Sequence, residues 1–205
     1  MLILYQRSVK NSYYEKIGEK IACIDDELPF DIPESWSWAR LENIAFIKSG
    51  VTYPTEQEQI IGEKMYVKIA DMNLVENMFE IQTSTRYLND YKNEHLIPQK
   101  SIIFPKRGGA IATNKKRLVL KDSILIDLNT MGIIPSNQIE IMYFYYWFYG
   151  IDLSKLYNGT SIPQINNRDI APLLIPIPPK KEQILIANAI STAFSIVSDI
   201  EKSLN

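Results

Sequence analysis

A cluster of basic side chains marks one segment of this 205-residue chain. Seven of its 22 Lys and Arg residues fall between positions 100 and 121, and no Asp or Glu interrupts them. A phosphate backbone would find a concentrated positive field there. A charge run is also typical of a solvated loop, so charge alone leaves both interpretations open. The seven residues are Lys100, Lys106, Arg107, Lys115, Lys116, Arg117 and Lys121.

The residues between these cations suit contact with a nucleic acid. Gly108 and Gly109 allow close backbone approach, and Thr113 and Asn114 are short hydrogen-bonding side chains. We expect base recognition from Arg107, because a guanidinium can bind a guanine edge with two hydrogen bonds. The other members are expected to contact phosphates. The candidate contacts from the residues alone are Lys106, Arg107, Asn114, Lys115, Lys116 and Arg117.

Signatures of catalysis are weak in this sequence. It contains no G-x-x-x-x-G-K-[ST], G-x-G-x-x-G or G-x-S-x-G segment. Asp71 and Asp90 with Lys92 are similar to the acidic-x-Lys pattern of nucleases, which leaves a small magnesium-dependent nuclease as an alternative. Asn89-Asp90 is also typical of a turn. We expect no catalytic residue, metal or cofactor in this chain.

Composition limits the class of protein. With 46% hydrophobic and 22% charged residues, the chain is typical of a globular protein. A net charge of −2 does not point to nucleic acid, so any basic surface must be local. A single cysteine, Cys23, excludes an internal disulfide. The apolar run at 139–149 is too short to span a bilayer, so we expect a cytoplasmic protein without a membrane segment.

Short apolar runs between Pro, Gly, Asn and Asp residues predict strands without regular alternation with helices. This pattern indicates an α+β fold with a mixed sheet. We expect residues 1–30 to be a lead-in, 31–178 a globular domain and 179–205 a separate helix. The predicted strands lie at 36–41, 65–69, 101–104, 118–120, 124–126 and 173–178.

An aromatic helix is predicted at 138–149. Asn137 would be its N-cap, Glu140 the capping-box partner and Gly150 the residue just after its end. Seven consecutive aromatic residues, 143–149, could stack on bases. A helix that is apolar all round is more typical of a buried core, which is the interpretation we favour.

The segment after Pro179 has the alternating spacing of four and three residues that defines a coiled-coil seam. Such a stripe needs a partner helix, whereas a surface helix packed on its own domain is the alternative. The predicted seam comprises Ile186, Ile190, Ala193, Val197, Ile200 and Leu204.

Several segments together resemble the specificity (S) subunits of type I restriction-modification systems. The resemblance begins with LPFDIPESWSWARL and KSGVT and continues with SIIFPKRG. It ends with NGTSIPQI and LIPIPPKKEQ, the most specific of the matches. In order and spacing, these segments cover residues 28–205 and lie at 28–41, 48–52, 101–108, 158–165 and 174–183.

The resemblance implies a target recognition domain that binds one part of a bipartite double-stranded DNA site. It also implies a spacer helix that pairs with another spacer helix and docks methyltransferase subunits. Such a methyltransferase uses S-adenosylmethionine and flips an adenine from the duplex, and a motor and nuclease subunit can join it. Thr160 and Ser161 become further DNA-contact candidates because they lie in a matching segment.

The chain departs from the family in length, because a complete S subunit carries two recognition domains and two spacer helices. We therefore expect a half-size subunit that forms a homodimer through its helix, or a fragment of a longer chain. A helical adaptor that binds protein and not DNA is a further alternative. Salt-sensitive DNA binding would exclude that adaptor.

Overall fold

The computed structural model describes residues 12–17, 20–157 and 162–204. These residues form two compact units whose segments alternate along the chain. Unit 2 comprises Ala45–Ser136 and Tyr149–Ala171. Unit 1 comprises the described residues of Met1–Ile44, Asn137–Phe148 and Pro172–Asn205.

Unit 2 is built on a four-stranded antiparallel sheet of order β4-β10-β7-β8. Its inner strands are apolar on both faces, which is why Ile102 and Ile103 are both fully buried. We predicted β7 and β8 from the sequence but not β4 or the central β10. The strands are β4 (Ala45–Ser49), β7 (Ser101–Pro105), β8 (Arg117–Val119) and β10 (Thr130–Pro135).

A three-stranded mixed sheet completes unit 2. Strand β5 pairs antiparallel with β6 and parallel with β9. Gly50 lies against the backbone next to β9, where a Cβ atom would come within 2.0 Å of the Asp127 carbonyl oxygen. Only glycine fits there, which gives a structural reason for its place in the KSGVT segment. The strands are β5 (Lys64–Val67), β6 (Tyr87–Leu88) and β9 (Leu125–Ile126).

Unit 1 contains two antiparallel strand pairs, β1-β2 and β3-β11. The first pair lies in the segment that we expected to be a lead-in. Helix α1 (Leu41–Ile44) follows β3 directly, and helix α3 (Asn167–Ile170), of unit 2, precedes β11. The strands are β1 (Tyr14–Ile17), β2 (Lys20–Cys23), β3 (Ser37–Arg40) and β11 (Leu174–Ile177).

Arg40 joins these two strand pairs. Its guanidinium donates through Nε and Nη2 to the buried carboxylate of Glu15, at 3.2 and 3.0 Å. Nη2 also donates to Glu27 at 2.8 Å, and Nη1 donates to the Pro172 carbonyl oxygen at 3.0 Å. The hydrogen bond to Glu15 holds the pKa of Arg40 above its ordinary value. The arginine of the SWSWARL segment is therefore a structural residue.

The aromatic helix is present as α2 (Ile141–Tyr149), three residues shorter at its start than predicted. Asn137 does not cap it. The Gln183 side chain satisfies the amino end instead, because its Oε1 accepts from the Glu140 backbone N–H at 2.7 Å and its Nε2 donates to the Pro178 carbonyl oxygen at 2.9 Å. Phe144 and Phe148 are fully buried, in agreement with a core role.

Helix α4 (Lys180–Leu204) is the long carboxy-terminal helix. Its first turns pack on unit 1: Gln183 and Ala187 are buried, and Phe194 stacks on Tyr146 with ring centroids 5.8 Å apart. Glu182 accepts a hydrogen bond from Trp36 Nε1 at 3.0 Å. The Glu-Gln pair of the PPKKEQ segment thus anchors α4 to Trp36 and Glu140, the residues just before β3 and α2.

By length and composition alone, α4 could cross a membrane, because an 18-residue window has a mean hydropathy of 1.4. Our expectation of no such segment considered the amino terminus and the run at 139–149, and did not consider α4. One helix of this kind is weak evidence for a membrane span. Apart from Ile184, its apolar residues also lie on one arc, opposite a polar stripe that comprises Asn188, Ser191, Ser195, Asp199 and Lys202.

Candidate nucleic-acid interface

The basic cluster lies in unit 2, mostly on the loop between β7 and β8. This loop contains a 3-10 helix, Gly108–Thr113. Its first residue has φ +71°, in the left-handed region that favours glycine. Asn114 ends the helix with φ 51°, another left-handed conformation, which asparagine tolerates. The loop therefore has a defined backbone path, with Arg107 at one end and Lys115 at the other.

A second segment of unit 2, 163–166, braces the start of this loop. The Gly108 backbone N–H donates to the Pro163 carbonyl oxygen at 2.8 Å, and the Ile165 N–H donates to the Lys106 carbonyl oxygen at 2.8 Å. These bonds place Arg107 directly opposite Gln164 in an antiparallel bridge. Side chains at such opposed positions are neighbours on the same face.

Lys106 is directed into unit 2. It is 7% exposed, and its Nζ donates to Ser49 Oγ at 2.8 Å. Burial, reinforced by the positive charge of Arg107, lowers the pKa of Lys106. An ammonium group placed in this way does not face a phosphate, so the structure contradicts the predicted DNA contact.

Lys116 and Asn114 hold two parts of unit 2 together. Lys116 is 1% exposed, and its Nζ donates to the carbonyl oxygens of Ile151 (2.5 Å) and Tyr149 (3.3 Å). It also donates to Asn114 Oδ1 at 2.8 Å, and the same oxygen accepts from the Leu153 N–H at 2.9 Å. Burial lowers the pKa of Lys116 to about 8. Lys116 is therefore corrected to a structural residue, whereas Asn114 is half-buried and its role as a DNA contact stays a prediction.

Arg117 is also a structural residue. It lies in β8, is 6% exposed and donates from Nη2 to the Met72 carbonyl oxygen at 2.9 Å. Its Nη1 donates to the Lys116 carbonyl oxygen at 2.9 Å. The predicted phosphate contact is contradicted, because the guanidinium binds backbone inside the unit.

Lys115 differs from its neighbours. Its side chain is half-buried, and its Nζ donates to Asn73 Oδ1. A neutral amide leaves the positive charge uncompensated, so Lys115 can still contribute to a phosphate-binding field. Its role as a DNA contact stays a prediction.

Arg107 is half-buried and points along the bracing segment. Its Nε and Nη2 both donate to Gln164 Oε1, at 3.2 and 3.0 Å. Gln164 Nε2 in turn donates to Asn166 Oδ1 at 2.7 Å. The guanidinium is oriented by neutral groups that do not compensate its positive charge, as base or phosphate recognition requires.

Two predicted contacts, Thr160 and Ser161, lie outside the described residues, so their role stays a prediction. Arg168 is a cation that our prediction missed because it lies outside the 100–121 block. Its side chain is 86% exposed, with Asp169 3.8 Å away. Gln164 was also missed, although it lies in the NGTSIPQI segment, which was the signal that could have identified it.

The two units differ in formal charge. Unit 2 carries 14 Lys and Arg against 12 Asp and Glu, whereas unit 1 carries 8 against 12. The negative balance of the whole chain therefore conceals a unit with a positive balance. That unit is the one that contains the basic loop.

The predicted seam of α4 divides into two parts. Ile186 and Ile190 are half-buried within unit 1, whereas Ala193 is exposed. Further along, Val197, Ile200 and Leu204 are 52%, 53% and 80% exposed. The half-buried first part agrees with the alternative prediction, a surface helix that packs on its own domain. The second part leaves an apolar surface exposed to solvent.

Asp71, one of the residues proposed for a nuclease site, has a structural role, whereas Asp90 and Lys92 are exposed. Asp71 is fully buried, and its carboxylate accepts from the backbone N–H groups of Lys68 and Thr85 at 2.8 and 2.9 Å. The Ser84 and Thr85 hydroxyls also donate to it. Among the described residues, no group of three or more His, Cys, Asp or Glu side chains could hold a metal ion. Asp71 thus stabilises a turn, which removes the main support for a nuclease.

Comparison with solved structures shows a shared fold. A chain from a structural study of complex assembly in the type I R-M system matches with a TM-score of 0.72 and 16% identity, over 85% of this chain and 42% of that one. The HsdS subunit from Thermoanaerobacter tengcongensis matches with a TM-score of 0.70 and 17% identity, over 85% and 41%.

Comparison of sequences gives the same family. The type I restriction enzyme MjaIX specificity subunit from Methanocaldococcus jannaschii is 29% identical over 164 residues, which are 76% of this chain and 37% of that protein. This chain thus spans less than half the length of the proteins that it matches. The model of the type I restriction modification DNA specificity domain matches residues 33–205, and the chain belongs to that family.

Proposed function

We propose that this chain recognises a DNA sequence as part of a type I restriction-modification enzyme and catalyses no reaction itself. The family match across residues 33–205 carries the proposal. The charge balance of unit 2 supports it, since duplex DNA is a dense array of negative charge. In this proposal, this chain recognises the DNA sequence and its partner subunits catalyse the reaction.

Within unit 2, we assign base recognition to Arg107. Lys115 and Arg168 are the described cations that we assign to phosphates. Their proposed roles differ, because phosphate contacts position the protein without carrying sequence information. Thr160 and Ser161 remain proposed contacts that rest on the family resemblance.

The proposed partners are double-stranded DNA, adenine methyltransferase subunits and, in a cleaving enzyme, a motor and nuclease subunit. S-adenosylmethionine would bind to the methyltransferase, so we assign no cofactor or metal to this chain. The target adenine must be flipped out because its reacting atom is not accessible inside the duplex. We assign this step to the methyltransferase as well.

We assign the exposed end of α4 to helix pairing. Val197, Ile200 and Leu204 continue the seam beyond the part that packs on unit 1, and such a stripe is stabilised when another helix covers it. For this chain, we propose a second copy as the partner. A closed twofold dimer would present two identical recognition domains to inverted half-sites.

The experiment is a methylation assay with purified components. The chain alone should neither methylate nor cut DNA. Together with its cognate adenine methyltransferase subunits, the chain should direct adenine methylation to one sequence, which sequencing that detects N6-methyladenine would identify. Methylation or cleavage by the chain alone, after stringent purification, would refute the proposal.

A further inference from the structure

We infer that Gln164 is a positioning residue that orients Arg107 for sequence readout. The inference rests on the proposed function and adds a residue that determines specificity without itself reading a base. It starts from one geometric fact: the two residues oppose each other in an antiparallel bridge and are joined by two hydrogen bonds.

The hydrogen bonds use one particular edge of the guanidinium. Arg107 donates from Nε and Nη2 to a single acceptor, Gln164 Oε1. A planar guanidinium has five N–H groups, so the edge formed by Nη1 and Nη2 still has two roughly parallel donors. No described residue accepts from Nη1. This open edge has the shape that binds the O6 and N7 atoms of guanine, or two phosphate oxygens.

Gln164 is itself held in place. Its Nε2 donates to Asn166 Oδ1 at 2.7 Å, which fixes which end of the amide faces Arg107. Asn166 is fixed in turn, because its backbone N–H and Nδ2 both donate to Asp169 Oδ2, at 2.7 and 3.1 Å. The four side chains form a hydrogen-bonded series that ends at the first turn of α3.

Orientation of this kind matters because a free arginine side chain has several rotamers. Holding the guanidinium before binding removes part of the entropy cost of a bidentate contact. The neutral Gln164 does this without cancelling the charge of Arg107. Other cations of unit 2 bind a carboxylate, which compensates their positive charge. Glu58 forms ion pairs with Lys68 at 2.5 Å and with Arg86 at 2.7 Å. Arg107 thus combines a fixed direction with an uncompensated charge.

The test is selection of bound DNA from a pool of random-sequence duplexes with the full chain. Four variants are compared with the wild type: Arg107→Lys, Gln164→Leu, Gln164→Glu and the control Gln138→Leu, an exposed glutamine of unit 1. Sequencing gives the base preference at each position of the selected motif. Thermal unfolding and the salt dependence of binding to an unselected duplex are measured for each protein.

The wild type should select a motif with a G·C pair that depends on Arg107. Arg107→Lys and Gln164→Leu should relax the preference at that same pair by roughly 5- to 150-fold, the loss expected for one bidentate contact. Gln164→Glu should keep the preference, since its carboxylate accepts the same two hydrogen bonds, but should bind every duplex more weakly because it adds negative charge. Gln138→Leu should behave as the wild type.

Three results would overturn the inference. The first is an unchanged motif in Gln164→Leu, and the second is relaxation at a pair that Arg107→Lys does not affect. The third is a uniform loss of binding with a lowered unfolding temperature in both Gln164 variants, which would indicate a merely structural role. A wild type that selects no motif would instead refute the proposed function, so the two failures are distinguishable.

Discussion

At the scale of residues, a comparison of Lys116 with Lys115 distinguishes a structural lysine from a DNA-binding one. Replacing Lys116 with Met removes the donor to the Ile151 carbonyl oxygen and to Asn114. We expect the unfolding free energy to fall by about 1–3 kcal/mol, the usual cost of removing a buried hydrogen-bond donor from its acceptors. The salt dependence of DNA binding should stay unchanged. Lys115→Met is the matched control and should instead lower the slope of log K against log salt concentration by about one unit.

The same variant has a characteristic pH dependence. The pKa of Lys116 is about 8 in the folded protein, below the ordinary lysine value of about 10.4. Between these values, the unfolded chain binds more protons, so this group makes the unfolding free energy rise with pH. The stability difference between wild type and Lys116→Met should therefore widen from pH 8 to pH 10. Denaturant titrations at both pH values measure it, and a constant difference would contradict the burial.

Arg40 gives a prediction about the fold of unit 1. Arg40→Met would remove the cation that binds the buried carboxylate of Glu15, at a cost of about 3–5 kcal/mol in unfolding free energy. Glu27→Gln is the control. Its side chain is 51% exposed, so loss of that ion pair should cost less than about 1 kcal/mol. Urea denaturation of the two variants should separate these values, and similar losses would disprove the structural role.

The sequence located the basic loop but could not show which cations face solvent. Lys115, Lys116 and Arg117 are consecutive, and their types alone suggest one basic surface. Lys116 and Arg117 are nevertheless buried, and backbone carbonyl groups from residues distant in the chain accept their hydrogen bonds. Tertiary packing brings these acceptors close, so local sequence cannot reveal them. Side-chain chemistry predicted a base contact for Arg107, whereas the pairing of Arg107 with Gln164 became evident from the bridge between two loops.

At the scale of elements, the apolar arc of α4 is wider than the surface that packs on unit 1. One flank, with Gln183 and Ala187, packs on unit 1, while Val197 and Ile200 are exposed on the other. Val197→Asp combined with Ile200→Asp should prevent pairing, because a dimer would have to bury both carboxylates. We expect a dimeric wild type and a monomeric variant in sedimentation, with unchanged circular dichroism apart from α4.

The control for this experiment lies on the polar face of the same helix. Ser191→Asp with Ser195→Asp adds the same charge to exposed positions and should leave the dimer intact. A wild type that sediments as a monomer at tens of micromolar would contradict pairing through α4. Dissociation of the control would show that net charge, and not the seam, controls association.

The elements that the sequence predicted well are those with strong local signals. Strand β7 and helix α4 have long apolar patterns and clear boundaries at Pro residues. Strand β10 was missed because Gly132 and Pro135 weaken its strand signal, although it is the central partner of β4 and β7. Helix α2 begins later than predicted because Gln183, distant in sequence, provides its cap.

At the scale of the whole molecule, chain order does not reveal how the segments combine. Residues 137–148 return to unit 1 after 92 residues of unit 2, and 149–171 return to unit 2. Local patterns predicted the α+β class but not this alternation, because it depends on contacts between distant segments. The same limit applies to charge, since a net value of −2 conceals the positive balance of unit 2.

Sequence-selective binding by the purified chain tests the central claim most directly. A duplex selected from a random pool and a shuffled duplex of equal composition are titrated at one physiological salt concentration. A chain that recognises a DNA sequence should bind the selected duplex on the order of 10³-fold more tightly, and its affinity for both duplexes should fall with added salt. Equal affinity for the two duplexes, or no measurable binding to either, would contradict sequence recognition by this chain.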